Sequence, residues 1–226
     1  SLTAVGTETL GGMTTSAVVI VSVGDPASPV GAWETKLRGA GKGTAVMLFN
    51  DDYTVTGHGM VLGTVGLFDI TGVWGFDSKH QVAATYTETL GTNTLYSGTF
   101  TAKVKAGKNF SATVTPDSAD VAKLKLKGIP LAPVPDISGS WSGSVTTAGA
   151  KTTESYQFTS SATLSNIFFI TGSMTGTVIE SSKGDINLSA ENLPQRTLSG
   201  KAKATSFSVK GSDENGAKVK VKATKP

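Results

Sequence analysis

The amino-acid sequence repeats itself at a domain-sized interval. Gly31-Ala32-Trp33 opens one run of short alternating segments, and Gly139-Ser140-Trp141 opens a second. The later landmarks keep their order. Ile70-Thr71-Gly72 is answered by Ile170-Thr171-Gly172, and Tyr96-Ser97-Gly98 by Leu198-Ser199-Gly200. Lys123-Leu124-Lys125-Leu126-Lys127 is answered by Lys218-Val219-Lys220-Val221-Lys222. A recurrence of roughly a hundred residues is far longer than the units that stack into solenoids, so each copy must bury its own core. The 226 residues divide into an amino-terminal arm (1–30), a first β domain (31–128), a proline-containing connector (129–137) and a second β domain (138–226).

Within each repeat the apolar residues alternate with period two, the mark of half-buried strands. The first repeat reads as eight strands, from Ala32–Arg38 to Ala122–Lys127, and the second as eight, from Trp141–Thr147 to Lys218–Ala223. Glycine- and aspartate-containing turns of about two to five residues separate them and force antiparallel neighbours. Asn215-Gly216 is the strongest hairpin signal. No segment of helical length holds a 3.6-residue period. The expectation is an all-β chain of two tandem antiparallel meander domains with a β arm. Eight up-and-down strands can close into a barrel, while alternation alone leaves a sandwich open. Pro130, Pro133 and Pro135 favour an extended, semi-rigid connector and a preferred orientation of the two domains.

Composition removes several function classes. Without cysteine the chain has no disulfide, thiolate nucleophile, iron–sulfur cluster or c-type haem attachment. No stretch reaches the ~18 apolar residues of a membrane-spanning helix. The net charge of +3 is carried almost wholly by lysine, with Arg38 and Arg196 the two arginines. Nucleic-acid readers favour the planar arginine fork, so no nucleic-acid partner is expected. The sequence starts at Ser1 without a methionine or a basic-then-apolar leader. Removal of a signal peptide accounts for this, and the expectation is a secreted protein of a bacterial surface.

The arm carries a continuous β-branched run, Ala17 to Val23. Lacking alternation, such a strand expects burial on both faces. It can pack on its own first domain, or it can be donated to a neighbouring subunit, where ladder bonds supply affinity. In the second reading Val18, Val19, Ile20, Val21 and Val23 are the docking residues.

A Gly-x-Trp opening strand before an eight-strand meander resembles the calycins, the lipocalin and avidin superfamily, over residues 31–127 and 139–224. The resemblance implies barrels whose ends the tryptophans close, making Trp33 and Trp141 structural plugs. It also implies a carrier reading, with a small apolar ligand inside the first barrel among Phe49, Phe68, Trp74 and Tyr86. The chain is also similar in kind to secreted filament subunits, being rich in threonine, glycine and alanine, free of cysteine, and fitted with an apolar arm. It lacks the long apolar helix of type IV pilins, so a place in such pili would need a separate helical partner.

Candidate chemistry is sparse. His58 and His80 have no second histidine at metal-binding spacing, so no metal or cofactor site is expected. Asp51 and Asp52 share a hairpin tip, where aspartates cap the backbone. Asp213-Glu214-Asn215-Gly216 lacks the alternating ligands of a calcium loop and reads as a turn. Asn109 and Asn187 each open a glycosylation sequon. A hydrolase using His58 with an aspartate or serine is the remaining catalytic option, and no nucleophile motif supports it. Period two places Lys123, Lys125 and Lys127 on one strand face, and Lys218, Lys220 and Lys222 on another, as outward residues that discourage edge pairing or as contacts for an anionic partner. The function expected is structural and non-catalytic: a subunit of an extracellular, pilus-like filament or surface assembly, bound to copies of itself or to another subunit.

Overall fold

The computed structural model describes residues 2–5, 18–21, 27–161, 166–192 and 194–226. Ala17, Ser22 and Val23 of the expected docking run lie outside the described residues. Two short strands come first, β1 (Leu2–Val5) and β2 (Val18–Val21). Eight strands follow: β3 (Gly31–Gly39), β4 (Gly43–Phe49), β5 (Thr54–Val61), β6 (Phe68–Phe76), β7 (Val82–Leu90), β8 (Asn93–Lys105), β9 (Asn109–Pro116) and β10 (Leu124–Pro130). They pair in sequence order, and β10 returns to β3 to close a barrel. The second barrel has the same order and the same closure: β11 (Gly139–Thr147), β12 (Ala150–Ser160), β13 (Ile167–Gly172), β14 (Gly176–Glu180), β15 (Asp185–Ala190), β16 (Arg196–Lys203), β17 (Ser206–Asp213) and β18 (Lys218–Thr224). Closure decides against the sandwich.

The turns are built by the aspartates between the strands. Asp77 Oδ1 accepts from the amides of Lys79 and Gln81 at 2.9 and 2.8 Å. Asp213 Oδ1 accepts in the same way from Asn215 and Ala217 at 3.0 and 2.8 Å. Each side chain thus satisfies amides that the ladder cannot reach. Asp52 Oδ1 accepts from the amide and hydroxyl of Thr54, and Tyr53 between them takes a left-handed φ of 66°.

Alternation fills the interiors. In β18 the residues run exposed, buried, exposed from Lys218 to Thr224, so Val219, Val221 and Ala223 enter the second core. Two core rings lie across glycines of the neighbouring strand: Phe68 is paired with Gly59, and Phe110 with Gly128. A Cβ at Gly128 would stand 2.0 Å from the Phe110 ring. Strand β10 continues beyond Lys127 to Pro130, which pairs with Trp33. Proline is tolerated there because the strand ends with it.

The barrels pack against one another through outward residues. Met60, Ile167 and Ile179 form a small buried cluster with Leu67 against it. Glu34 of β3 is buried, and its carboxylate accepts from the amide and hydroxyl of Ser182, each at 2.9 Å. Asn187 Nδ2 donates to Thr44 Oγ1 at 2.7 Å, and the Gly66 amide to Ser189 Oγ at 2.7 Å. The two barrels are thus held against one another by side-chain contacts.

Candidate functional site

The two opening tryptophans have the same environment. Trp33 is 3% exposed and its Nε1 donates to the Pro29 carbonyl at 2.6 Å; Trp141 is 2% exposed and its Nε1 donates to the Ile137 carbonyl at 2.7 Å. Each acceptor lies four residues upstream, so the chain entering each barrel is tied beneath its own indole. Phe110 meets Trp33 edge-on at 5.3 Å between centroids, and Phe158 meets Trp141 at 5.8 Å.

The interiors are occupied by side chains. Phe49, Phe68, Trp74 and Tyr86 belong to one buried cluster that includes Trp33 and Phe110. Phe49 touches Trp74 at 6.3 Å and Phe110 at 5.8 Å between centroids, both edge-on. Two concavities, of about 970 and 580 Å³, lie on outer faces of the barrels.

Three carboxylates enter the interiors, and the sequence reading missed all of them. Glu88 is buried and accepts from the Tyr86 hydroxyl at 2.5 Å. Burial holds its carboxyl above the usual range, partly offset by that hydrogen bond. In the second barrel Glu154 accepts from Tyr156 Oη at 2.9 Å and faces Arg196 at 3.6 Å. Burial, and then the Glu154 charge, push the Tyr156 phenol upward. Glu180 has the least compensated position. It is 0% exposed and neither carboxylate oxygen has a hydrogen-bond partner. Its amide bonds to the Asn166 carbonyl across the ladder at 2.8 Å, and the Asn166 side chain is equally buried and unpartnered. Desolvation, with a further push from Asp136, raises the Glu180 carboxyl to about 7. The signal was phase: Glu88 follows Tyr86 by two, Glu180 follows Val178 by two, and Glu154 precedes Tyr156 by two. Each is an acid at an inward position.

The remaining candidates are exposed. His58 Nδ1 meets Asp69 Oδ1 at 2.8 Å across β5 and β6, with both side chains open to solvent. His80 occupies a turn with a φ of 56°. Asp51 is exposed, and Asp52 is held below the usual carboxylate range by its bonds to Thr54. Among the described residues no three His, Cys, Asp or Glu side chains cluster to hold a metal, and no helix is long and apolar enough to cross a membrane.

The lysines of both ladders are exposed. Their strands are not edges: β10 is paired with β9 and β3, and β18 with β17 and β11. Edge protection, the structural reason expected for them, therefore does not apply. The described strands of the arm form a sheet of their own. Strand β2 pairs with neither barrel but with β1, antiparallel, Leu2 opposite Val21 and Val5 opposite Val18.

Fold and interior together define a tandem pair of closed, filled eight-stranded meander barrels, consistent with the calycin-like architecture. No family model matches the chain, and no curated protein matches it. Among solved structures, a protein of unknown function from the DUF3598 family of Nostoc punctiforme aligns over 88% of this chain and 96% of its own, at 11% identity and a TM-score of 0.29. That level of likeness carries no argument about function.

Proposed function

We propose that the protein is a non-catalytic structural subunit of an extracellular filament or surface assembly, docking through its amino-terminal ribbon to a copy of itself or to another subunit. The observation that carries this reading is the ribbon's position in the topology. Closed barrels have no free edge, so among the described residues the unpaired strand edges are those of β1 and β2. A two-stranded sheet is marginal alone in water and becomes stable when further strands or a packed face are added. The residues of β2, Val18 to Val21, are uncharged and β-branched, suited to strand addition. Docking would be made by a ribbon adding its edge to a partner's sheet, and the acceptor cannot be the wall of either barrel. The filled interiors weigh against the carrier reading, which needs an enclosed cavity of several hundred Å³.

The test is removal of residues 1–23 followed by electron microscopy and sedimentation of the full and shortened chains. The reading requires assemblies from the full chain and monomers, with both barrels folded, from the shortened one. A full chain that stays monomeric at high concentration, or a shortened chain that still assembles, sinks it.

A further inference from the structure

The lysine ladders are costly where they stand. Lys125 lies directly opposite Arg38, Lys127 opposite Lys36, and Lys220 opposite Lys210. Like charges facing one another across strands destabilise a sheet. Lys36 is relieved by Asp185 at 3.8 Å. The described ion pairs, which otherwise join Lys201 to Asp185, Arg196 to Glu154 and His58 to Asp69, include none of the other five residues. Of these five, Lys125 and Lys127 line a hollow in the barrel wall, and with no described carboxylate paired to them both are free to meet an anion from outside the chain.

The surface beside them is shaped to receive one. The outer face of β6 to β10 is hollowed into the concavity of about 970 Å³. Its floor is low because the outward positions hold short side chains, among them Thr99, Thr101 and Thr113, while Lys103, Lys125 and Lys127 stand within it. Two rings beneath, Trp74 and Phe100, belong to the barrel core. No carboxylate lines the hollow. The second barrel repeats the pattern at about 580 Å³, with Ser144 and Ser208 on the floor and Lys203 and Lys222 beside them; Lys201, also on the lining, is already paired with Asp185 at 2.7 Å.

We propose that these two faces bind an acidic polysaccharide, a chain of sugar units bearing carboxylate or sulfate groups. Lysines supply the charge, and the threonine and serine hydroxyls supply hydrogen bonds matched to sugar hydroxyls. An acidic protein would seek a deep aromatic or aliphatic anchor pocket, whereas here Val73 is the one large apolar side chain exposed on the lining, and Trp74 and Phe100 are buried. Single-stranded nucleic acid would seek exposed rings for base stacking and arginine forks for phosphate, and the floor has neither. The inference concerns the barrel walls and stands apart from the ribbon, so either proposal can fail alone.

The experiment measures binding of the full chain to polygalacturonate at low ionic strength, beside neutral dextran and single-stranded DNA. A second protein carries Lys103→Gln, Lys125→Gln and Lys127→Gln, and a third Thr101→Val and Thr113→Val with all lysines kept. The expected result is salt-sensitive binding to polygalacturonate, weaker binding to DNA and none to dextran. The lysine variant should bind roughly a hundredfold more weakly, from about fivefold per lysine facing a dense anionic surface, and melt no lower than the parent because repulsion is relieved. The threonine variant should lose affinity for polygalacturonate while eluting unchanged from a plain cation-exchange resin. Unchanged affinity in the lysine variant, equal binding to dextran, or DNA bound as tightly as polygalacturonate overturns the proposal.

Discussion

Replacing Glu180 by glutamine tests the electrostatic account of the second barrel. The carboxyl moves from an ordinary 4.5 up to about 7 on folding. Its folded value is the higher, so the native protein holds this proton more tightly than the unfolded chain. The resulting stabilisation is complete below about 4.5 and disappears as the pH rises through about 7. At roughly 1.4 kcal/mol per pH unit of displacement, the charged carboxylate costs about 3 kcal/mol at alkaline pH. Urea unfolding of parent and Glu180→Gln at a series of pH values reads this directly. The variant should be more stable by about 3 kcal/mol near pH 8, and the gap should close to under about 1 kcal/mol near pH 4. Taking the difference between the two proteins cancels the titration of Glu88, Asp52 and the other carboxyls. A gap that does not change with pH would refute the reasoning.

Other substitutions test the remaining parts of the structure. Trp33→Ala removes a buried indole and its bond to Pro29, so urea unfolding should show a loss of about 3–5 kcal/mol. Gly128→Ala drives a methyl group against the buried Phe110 ring and should cost about 1–3 kcal/mol by the same assay. Ser182→Ala removes the hydroxyl donor to the buried Glu34 carboxylate at the barrel interface and leaves the backbone amide of residue 182 as its donor; a loss of about 1–3 kcal/mol is expected in thermal unfolding, with neither barrel's circular dichroism altered. Ile20→Pro removes a ladder donor from β2 and should abolish assembly in sedimentation while leaving the barrel melting temperature unchanged.

The local pattern in the sequence reached most of the fold. Most of the sixteen barrel strands announce themselves by period-two alternation, although β14 is buried at every position, and aspartate or glycine turns mark where the strands reverse. Closure followed from strand number and short connections, although alternation by itself left the sandwich standing. The barrel interface was illegible because its members, Met60, Ile167 and Ile179, are apolar at outward positions, and a single sequence does not say which outward face is covered. Strand β1 is hard to see in the sequence because Leu2-Thr3-Ala4-Val5 is only four residues long, so its strand character comes from pairing with β2. The ladders have the half-buried alternation that period two gives, with lysine outward and Leu or Val inward, whereas edge protection does not apply, since whether a strand is an edge depends on closure. The inward acids are legible in principle from phase, since Glu88, Glu154 and Glu180 each stand two residues from an inward side chain, but their charge by itself points to solvent.

The central claim, that the ribbon is the docking element, is tested most directly by amide hydrogen exchange on the protein before and after assembly. The account predicts that the amides of Leu2–Val5 and Val18–Val21 exchange quickly in the monomer and become strongly protected in the assembly, with barrel amides protected in both. Rapid exchange of those eight positions within a fully formed assembly would contradict it.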